Sequence, residues 1–343
     1  MTGNLIWCGT EDDDFVFTGT VNTNQGSGGQ QFRSGFCRQA LTLAGSITDP
    51  PSPRMTGIQF ENGAVSTFWF HTAIGWTALG GGSTVNATLA RFLDSGGVAR
   101  LVIRGAGTNG LKVDRRDNSG TFTNLLTTGN NVVPIGGLSN FPVDLFVNYG
   151  VSGSVLLYVN SALVGSFTGD TTTNSATALD QVDISCPFTT QGCYISESFI
   201  SDSNSVNGGV VVFGPVAGGN TQQYTGVVAS INEKTILDSA FILDGTVGHL
   251  SQWTISGTFP AGGYGVLAVQ KCIRFAVGLS GPQHIDFSSR LGGSDFLDGL
   301  NIAGATTFAN AQHIVMINPN TGVNFLTADL SAAGVAFGPK SLT

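Results

Sequence analysis

The feature that most constrains this chain is a two-residue alternation. It is clearest in Phe141-Pro142-Val143-Asp144-Leu145-Phe146-Val147-Asn148-Tyr149. Phe141, Val143, Leu145, Val147 and Tyr149 share one side of an extended backbone, because successive strand side chains point to opposite faces. A turn at Val151-Ser152-Gly153-Ser154 follows. Val155–Val159 and Ala162–Phe167 are then separated by Asn160-Ser161 alone. That spacing predicts a tight hairpin, since Asn tolerates the positive φ such turns require. Earlier strand candidates are Met55–Phe60, Val65–Phe70, Leu89–Leu93, Ala99–Arg104 and Gly110–Arg115, punctuated by Gly, Asn and Ser.

Composition narrows the class. The 343 residues include 49 glycines, and only 10% are charged, against an ordinary share of roughly 25%. Strong helix formers such as Glu and Lys are scarce. Disorder is disfavoured, because the chain is 41% hydrophobic and holds 23 Phe. The glycines have no three-residue period, so collagen is excluded. No repeat of fixed period points to a solenoid or propeller. Short strands at regular spacing predict an all-β sandwich or barrel.

A second β block is expected after Gly214-Pro215, with the Gly/Asn/Gln-rich stretch Val216–Tyr224 as the junction. Trp253–Phe259 alternates again. Val266-Leu267-Ala268-Val269 reads as buried on both faces. Thr327–Gly334 reads as one short helix, with Thr327 as cap, Asp329 near the positive N-terminus and Gly334 as the stop.

Two groups of segments carry a resemblance. Leu89–Gly97, Ala99–Arg104 and above all Leu157-Tyr158-Val159-Asn160-Ser161-Ala162-Leu163-Val164 resemble the laminin-G/concanavalin-A-like β-sandwich. That family commonly has a Tyr-Val-Asp-Gly type hairpin where this chain has Asn160-Ser161. Glu11–Phe15, Phe32–Arg38, Tyr194–Ser198 and Asn318–Gly322 resemble virion proteins of tailed bacteriophages, in which such a sandwich precedes a second β-rich module. The resemblance implies a concanavalin-A-like (jelly-roll) sandwich over residues 1–212 and a smaller C-terminal β-rich domain with one short helix over 213–343. It also implies a structural component exposed on the head or tail of the particle.

Charge limits the partners. Fourteen Lys and Arg against 22 Asp and Glu give a net charge of −8. That balance does not favour a nucleic acid, whose phosphates call for a basic surface. No apolar run approaches the ~20 residues needed to span a bilayer. Met1-Thr2-Gly3-Asn4 lacks the basic and apolar regions of a signal peptide, so synthesis in the host cytoplasm is expected. Cys8, Cys37, Cys186, Cys193 and Cys272 form no zinc-type pairs. Cys186 and Cys193 are close enough for a bridge across a hairpin, but buried free thiols are expected in a reducing cytosol.

Locally the charges are less even. Arg100 and Arg104 share one face of a predicted strand with Val102, and Lys112 and Arg116 share one face of the next with Asp114. A hairpin would gather all four cations. The functional reading is a site for an anionic glycan or a partner subunit's carboxylates; the plainer expectation is a solvated polar face. Trp76, near the Gly80–Ser83 loop, is a candidate aromatic platform, as by type alone are Trp69, Trp253, Tyr194 and Tyr224. Calcium wants six to eight oxygens, and Asp12, Asp13 and Asp14 beside Glu11 are the candidate donors. Asp180 with Asp183, or Asp94 with Asn118, are further candidates. A solvated turn is the simpler reading of the acidic run, and no other cofactor is expected.

Catalytic patterns are lacking. Glu11, Glu61, Glu197 and Glu233 do not form the paired acids of a glucanase. There is no Gly-x-Ser-x-Gly elbow and no His-Glu-x-x-His. His71, after Phe68-Trp69-Phe70, reads as a satisfied strand residue. The expectation is a non-enzymatic virion decoration or fibre protein that contacts the host surface or neighbouring capsid or tail proteins. A homo-oligomer, such as a trimer, is expected. The alternatives are a receptor-binding adhesin for a host glycan and a polysaccharide-degrading hydrolase.

Overall fold

A computed structural model describes the chain outside residues 1–4, 10–16, 19–21, 25–39, 45–47, 53, 61–62, 77–85, 134–140, 173–175, 188–191, 232–237, 258 and 260–262. Only the backbone is described for the remaining residues up to 44 and for Gly57, Trp76, Gly192 and Ser196. The described chain forms two compact units, Leu5–Val210 and Val211–Thr343.

The first unit is a β-sandwich of two antiparallel sheets. One has seven strands in the order Phe122–Thr127, Gly110–Arg116, Ala99–Ala106, Thr88–Leu93, Gln181–Ile184, Arg54–Gln59 and Phe17–Thr18. The other has eight. Seven run in the order Ala162–Gly169, Gly153–Val159, Phe141–Asn148, Thr67–Trp76, Gly192–Ser201, Ala40–Ala44 and Asn22–Asn24, and Leu5–Gly9 also pairs with Gly192–Ser201. The alternation does what the sequence demands. Phe141, Val143, Leu145 and Val147 all turn into the core. At the hairpin, Asn160 and Ser161 take φ of 48° and 67°, the double positive φ of a twist-matched two-residue turn.

Aromatic rings lock the sheets together. Phe70 from the eight-stranded sheet meets Phe92 from the seven-stranded one edge-on, with centroids 5.2 Å apart, and Phe68 lies 5.3 Å from the same ring. All three are fully buried, each contributing about 1.5–3 kcal/mol by leaving water. Cys186 and Cys193 line this core as a disulfide with Cα atoms 5.5 Å apart. The expected free thiols are thereby corrected. Their Cα separation falls within bridging range.

The second unit has a six-stranded sheet. Gly214–Gln222, Ser251–Ser256, Ala336–Leu342, His284–Leu291 and Ser294–Leu297 follow in that order, and Ile302–Ala303 also pairs with His284–Leu291. A separate ribbon joins Val269–Phe275 to Ala309–Val315. Ile285 and Phe287 of the sheet bury themselves with Ile273, Phe275 and Ala311 of the ribbon.

Three expectations are corrected here. Val216–Tyr224 is not a junction, because most of it belongs to the edge strand Gly214–Gln222. Val266–Val269 is only half-buried and its strand begins at Val269; a two-stranded ribbon covers a strand less than a full sheet does. The helix is shorter than expected, Thr327–Ser331. Leu326, not Thr327, occupies the cap, and the Asp329 carboxylate accepts the Leu326 N–H at 2.8 Å.

Candidate functional site

The site is built on the outward face of the seven-stranded sheet. Within Ala99–Ala106, Leu101 and Ile103 face the core, so Arg100, Val102 and Arg104 face away. Within Gly110–Arg116, Leu111 and Val113 face the core, leaving Lys112, Asp114 and Arg116 on the same outer side. The two strands pair antiparallel, with Arg104 opposite Lys112 and Val102 opposite Asp114. The sequence-predicted hairpin therefore does gather Arg100, Arg104, Lys112 and Arg116. Arg91 and Arg54 join them from neighbouring strands. Six of the seven described basic residues of this unit stand on one face; the seventh, Arg115, reaches Asp170.

This face is not solvated, which corrects the plainer expectation. Arg100 and Arg104 are each only 8% exposed, because carboxylates interleave with the cations. Asp183 takes the Arg91 guanidinium through Nε and Nη2 at 3.1 and 2.7 Å, with Arg54 Nε at 3.5 Å. Asp49 reaches over the sheet to bridge Arg91 and Arg116, at 2.5 and 3.3 Å. Asp94 accepts Arg100 Nε at 2.6 Å, and Asn118 accepts its Nη1 at 2.6 Å. Burial pushes the Asp94 carboxyl up, but Arg100 and the amides of Val98 and Gly96 outweigh it and hold it below its ordinary value. Asp114 is 3.2 Å from Lys112 Nζ and 3.5 Å from Arg104 Nη1. Arg104 lies 3.4 Å over the Phe122 ring. Burial pulls its guanidinium below its ordinary value, with Asp114 and Asp49 opposing; it stays charged at any neutral pH.

Six cations thus share four carboxylates, an excess of positive charge in a chain of net charge −8. Sequence reasoning found four of the cations. It missed Arg91, on the strand just before Ala99–Ala106, and Arg54 and Asp49, which arrive from a strand and a loop distant in sequence. The acids Asp94 and Asp183, candidate calcium ligands, are instead held by arginines. Among the described residues no group of three or more His, Cys, Asp or Glu is placed to hold a metal ion. Asp12, Asp13 and Asp14 lie outside the described residues. Trp76 ends the strand Thr67–Trp76, and its side chain is also outside them.

The eight-stranded sheet carries two other features on its outer face. Trp69, Phe146 and Tyr158 form a half-buried aromatic row, with ring centroids 5.1 and 5.9 Å apart. Beside it, His71 is completely buried between Asp144 and Glu197. Trp253 and Tyr194 are buried and offer no platform. In the second unit, a small pocket of about 160 Å³ lies between Leu291, Asn318, Asn320 and Asp329. It falls below the roughly 300 Å³ of typical ligand pockets.

No family model matches the chain, and no curated protein matches it. Among solved structures, it is similar to the endo-β-1,4-glucuronan lyase of the fungus Trichoderma reesei, at 11% identity over 59% of this chain and 98% of that one, with a TM-score of 0.41. The T. cruzi calreticulin globular domain matches at 10% identity over 59% and 90%, with a TM-score of 0.39. The botulinum neurotoxin type G receptor-binding domain matches at 10% identity over 57% of this chain, with a TM-score of 0.31, and the match spans 42% of that domain. Likenesses this distant say nothing of what the chain binds or does.

Proposed function

We propose that this chain is a non-catalytic surface component of a tailed-phage particle whose sandwich binds a glycan of the host surface. The observation that carries the binding reading is the gathering of six cations on one outward sheet face of an acidic chain. The four carboxylates that interleave with them, Asp49, Asp94, Asp114 and Asp183, are ion-paired. Such acids suit recognition, whereas glycoside hydrolysis asks one carboxyl to hold its proton near neutral pH. The placement on a phage particle rests on the resemblance in sequence alone. A homo-oligomer, with contacts to other virion proteins, is part of the same reading. It rests on the same resemblance.

The test has two arms. Purified chain competes with phage for adsorption to host cells, and labelled antibody locates it on intact particles. Competition and particle labelling are expected. A chain that neither adsorbs nor labels particles would sink the reading.

A further inference from the structure

The guanidinium of Arg104 is buried, yet it makes no hydrogen bond to any described residue; its Nε is enclosed without an acceptor. The nearest charge is Asp114, whose Oδ2 sits 3.5 Å from Nη1. That Oδ2 also makes no hydrogen bond, although Oδ1 accepts the Asn124 amide at 2.9 Å. Lys112, directly across the strand pair from Arg104, lies 3.2 Å from the same Oδ2. Two like charges placed directly opposite destabilise a sheet, and a buried charged donor without an acceptor costs more. Folding alone gains little from this arrangement. A guanidinium and a carboxylate stand together, ion-paired at 3.5 Å, each with an atom that makes no hydrogen bond.

Their chemistry selects the ligand. An anion satisfies Arg104 and Lys112, and the planar fork matches a carboxylate in two-point fashion. A ligand with acceptors only, such as a phosphodiester or a protein carboxylate, would face Asp114 without giving it a donor. A sugar acid supplies both, a carboxylate and adjoining hydroxyls.

We propose that Arg104, Lys112 and Asp114 form a subsite for an acidic sugar of uronate type. The sugar carboxylate accepts from Arg104 and Lys112. Lys112, the most accessible of the three at 19%, swings from Asp114 to the ligand, and a neighbouring hydroxyl donates to the Asp114 carboxylate it uncovers. Phe122 holds the guanidinium in plane from below. This rests on the glycan-binding reading above and names the class of glycan.

The experiment is calorimetric titration of the full chain with oligomers of galacturonate, glucuronate and neuraminate, each against its methyl ester, at 50 and 500 mM NaCl. At least one acid is expected to bind tenfold or more tighter than its ester, with the advantage reduced at high salt. Arg104→Gln should abolish the preference and Arg104→Lys should keep only part of it. Lys112→Gln, at a more exposed position less prone to folding defects, should weaken acid binding about threefold or more. Equal binding of acid and ester, or an Arg104→Gln variant with its preference intact, would overturn the subsite while leaving a neutral-glycan reading standing. Displacement of the sugar by a glutamate-rich peptide at equal concentration would reassign the face to a protein partner. No saccharide bound, together with failed adsorption, would sink the subsite and the glycan reading together.

Discussion

Nδ1 of His71 lies 2.8 Å from Oδ1 of Asp144, and neither side chain is reached by solvent. Nε2 of the same ring faces Glu197 Oε1 at 3.4 Å, and Phe199 stacks on it at 4.6 Å. The segment after the strand Gly192–Ser201 closes the site. Ser205 donates to Asp144 and the Val210 amide donates to Glu197. Burial by itself would lower the His71 pKa. The charge of Asp144 and the hydrogen bonds to Asp144 and Glu197 outweigh it and raise the value from 6.5 to about 9.

A pH dependence of stability follows. Below pH 6.5 histidine is protonated in folded and unfolded chains alike, and the full stabilisation is present. Between 6.5 and about 9 the unfolded histidine gives up its proton while the folded one keeps it, so stability falls as pH rises. The loss is on the order of 3 kcal/mol at about 1.4 kcal/mol per unit. Melting temperatures from pH 6 to 10 should show that slope, and His71→Gln should flatten it. The variant should also be less stable at pH 6, by roughly 3–5 kcal/mol, because two buried carboxylates lose their cation. An unchanged slope in His71→Gln would refute the assignment.

Phe92 is the ring on which both Phe68 and Phe70 converge. Phe92→Ala should cost about 3–5 kcal/mol in urea unfolding, and Phe92→Leu less, since leucine refills part of the cavity.

The bridge between Cys186 and Cys193 encloses a short loop, and both sulfurs are buried. Cys193→Ala should lower stability by about 2–3 kcal/mol on loop-closure grounds. Alkylation of the unfolded, unreduced chain with mass readout should find these two thiols protected. Free thiols at both positions would contradict the pairing.

In the second unit, Lys271 Nζ lies 2.7 and 2.8 Å from the two oxygens of Asp298, both side chains nearly enclosed. Burial lowers the Lys271 pKa, with Asp298 opposing. Asp298→Asn should therefore cost roughly 3–5 kcal/mol, because the ammonium loses its counter-charge. Lys271→Met together with Asp298→Leu should recover most of that loss. Hydrogen exchange of the Val269–Phe275 amides would register both effects.

Much of the fold was legible because strands announce themselves locally. Phe141–Tyr149 needed only its own alternation, and Asn160-Ser161 only its tolerance of positive φ. The basic hairpin was legible for the same reason, since Ala99–Ala106 and Gly110–Arg116 are neighbours in chain and sheet. Its character was not. Whether these cations stand in water depends on Asp49, Asp94, Asp114 and Asp183, and Asp49 and Asp183 are brought in from distant segments. The helix cap was misread by one residue, because Asp329 caps backward onto Leu326 and displaces Thr327 from that role.

The sequence by itself determined that this chain is built of strands and which side of each strand is apolar, because a period of two assigns faces residue by residue. Only the tertiary structure decided which strands lie beside one another. Phe141–Asn148 pairs with Thr67–Trp76, and Thr67–Trp76 with Gly192–Ser201, joining His71 to groups 73 and 126 residues away. Alternation tells a strand which way to face and nothing about its neighbour. That choice belongs to the shared core, where the total fit of many apolar faces is settled at once.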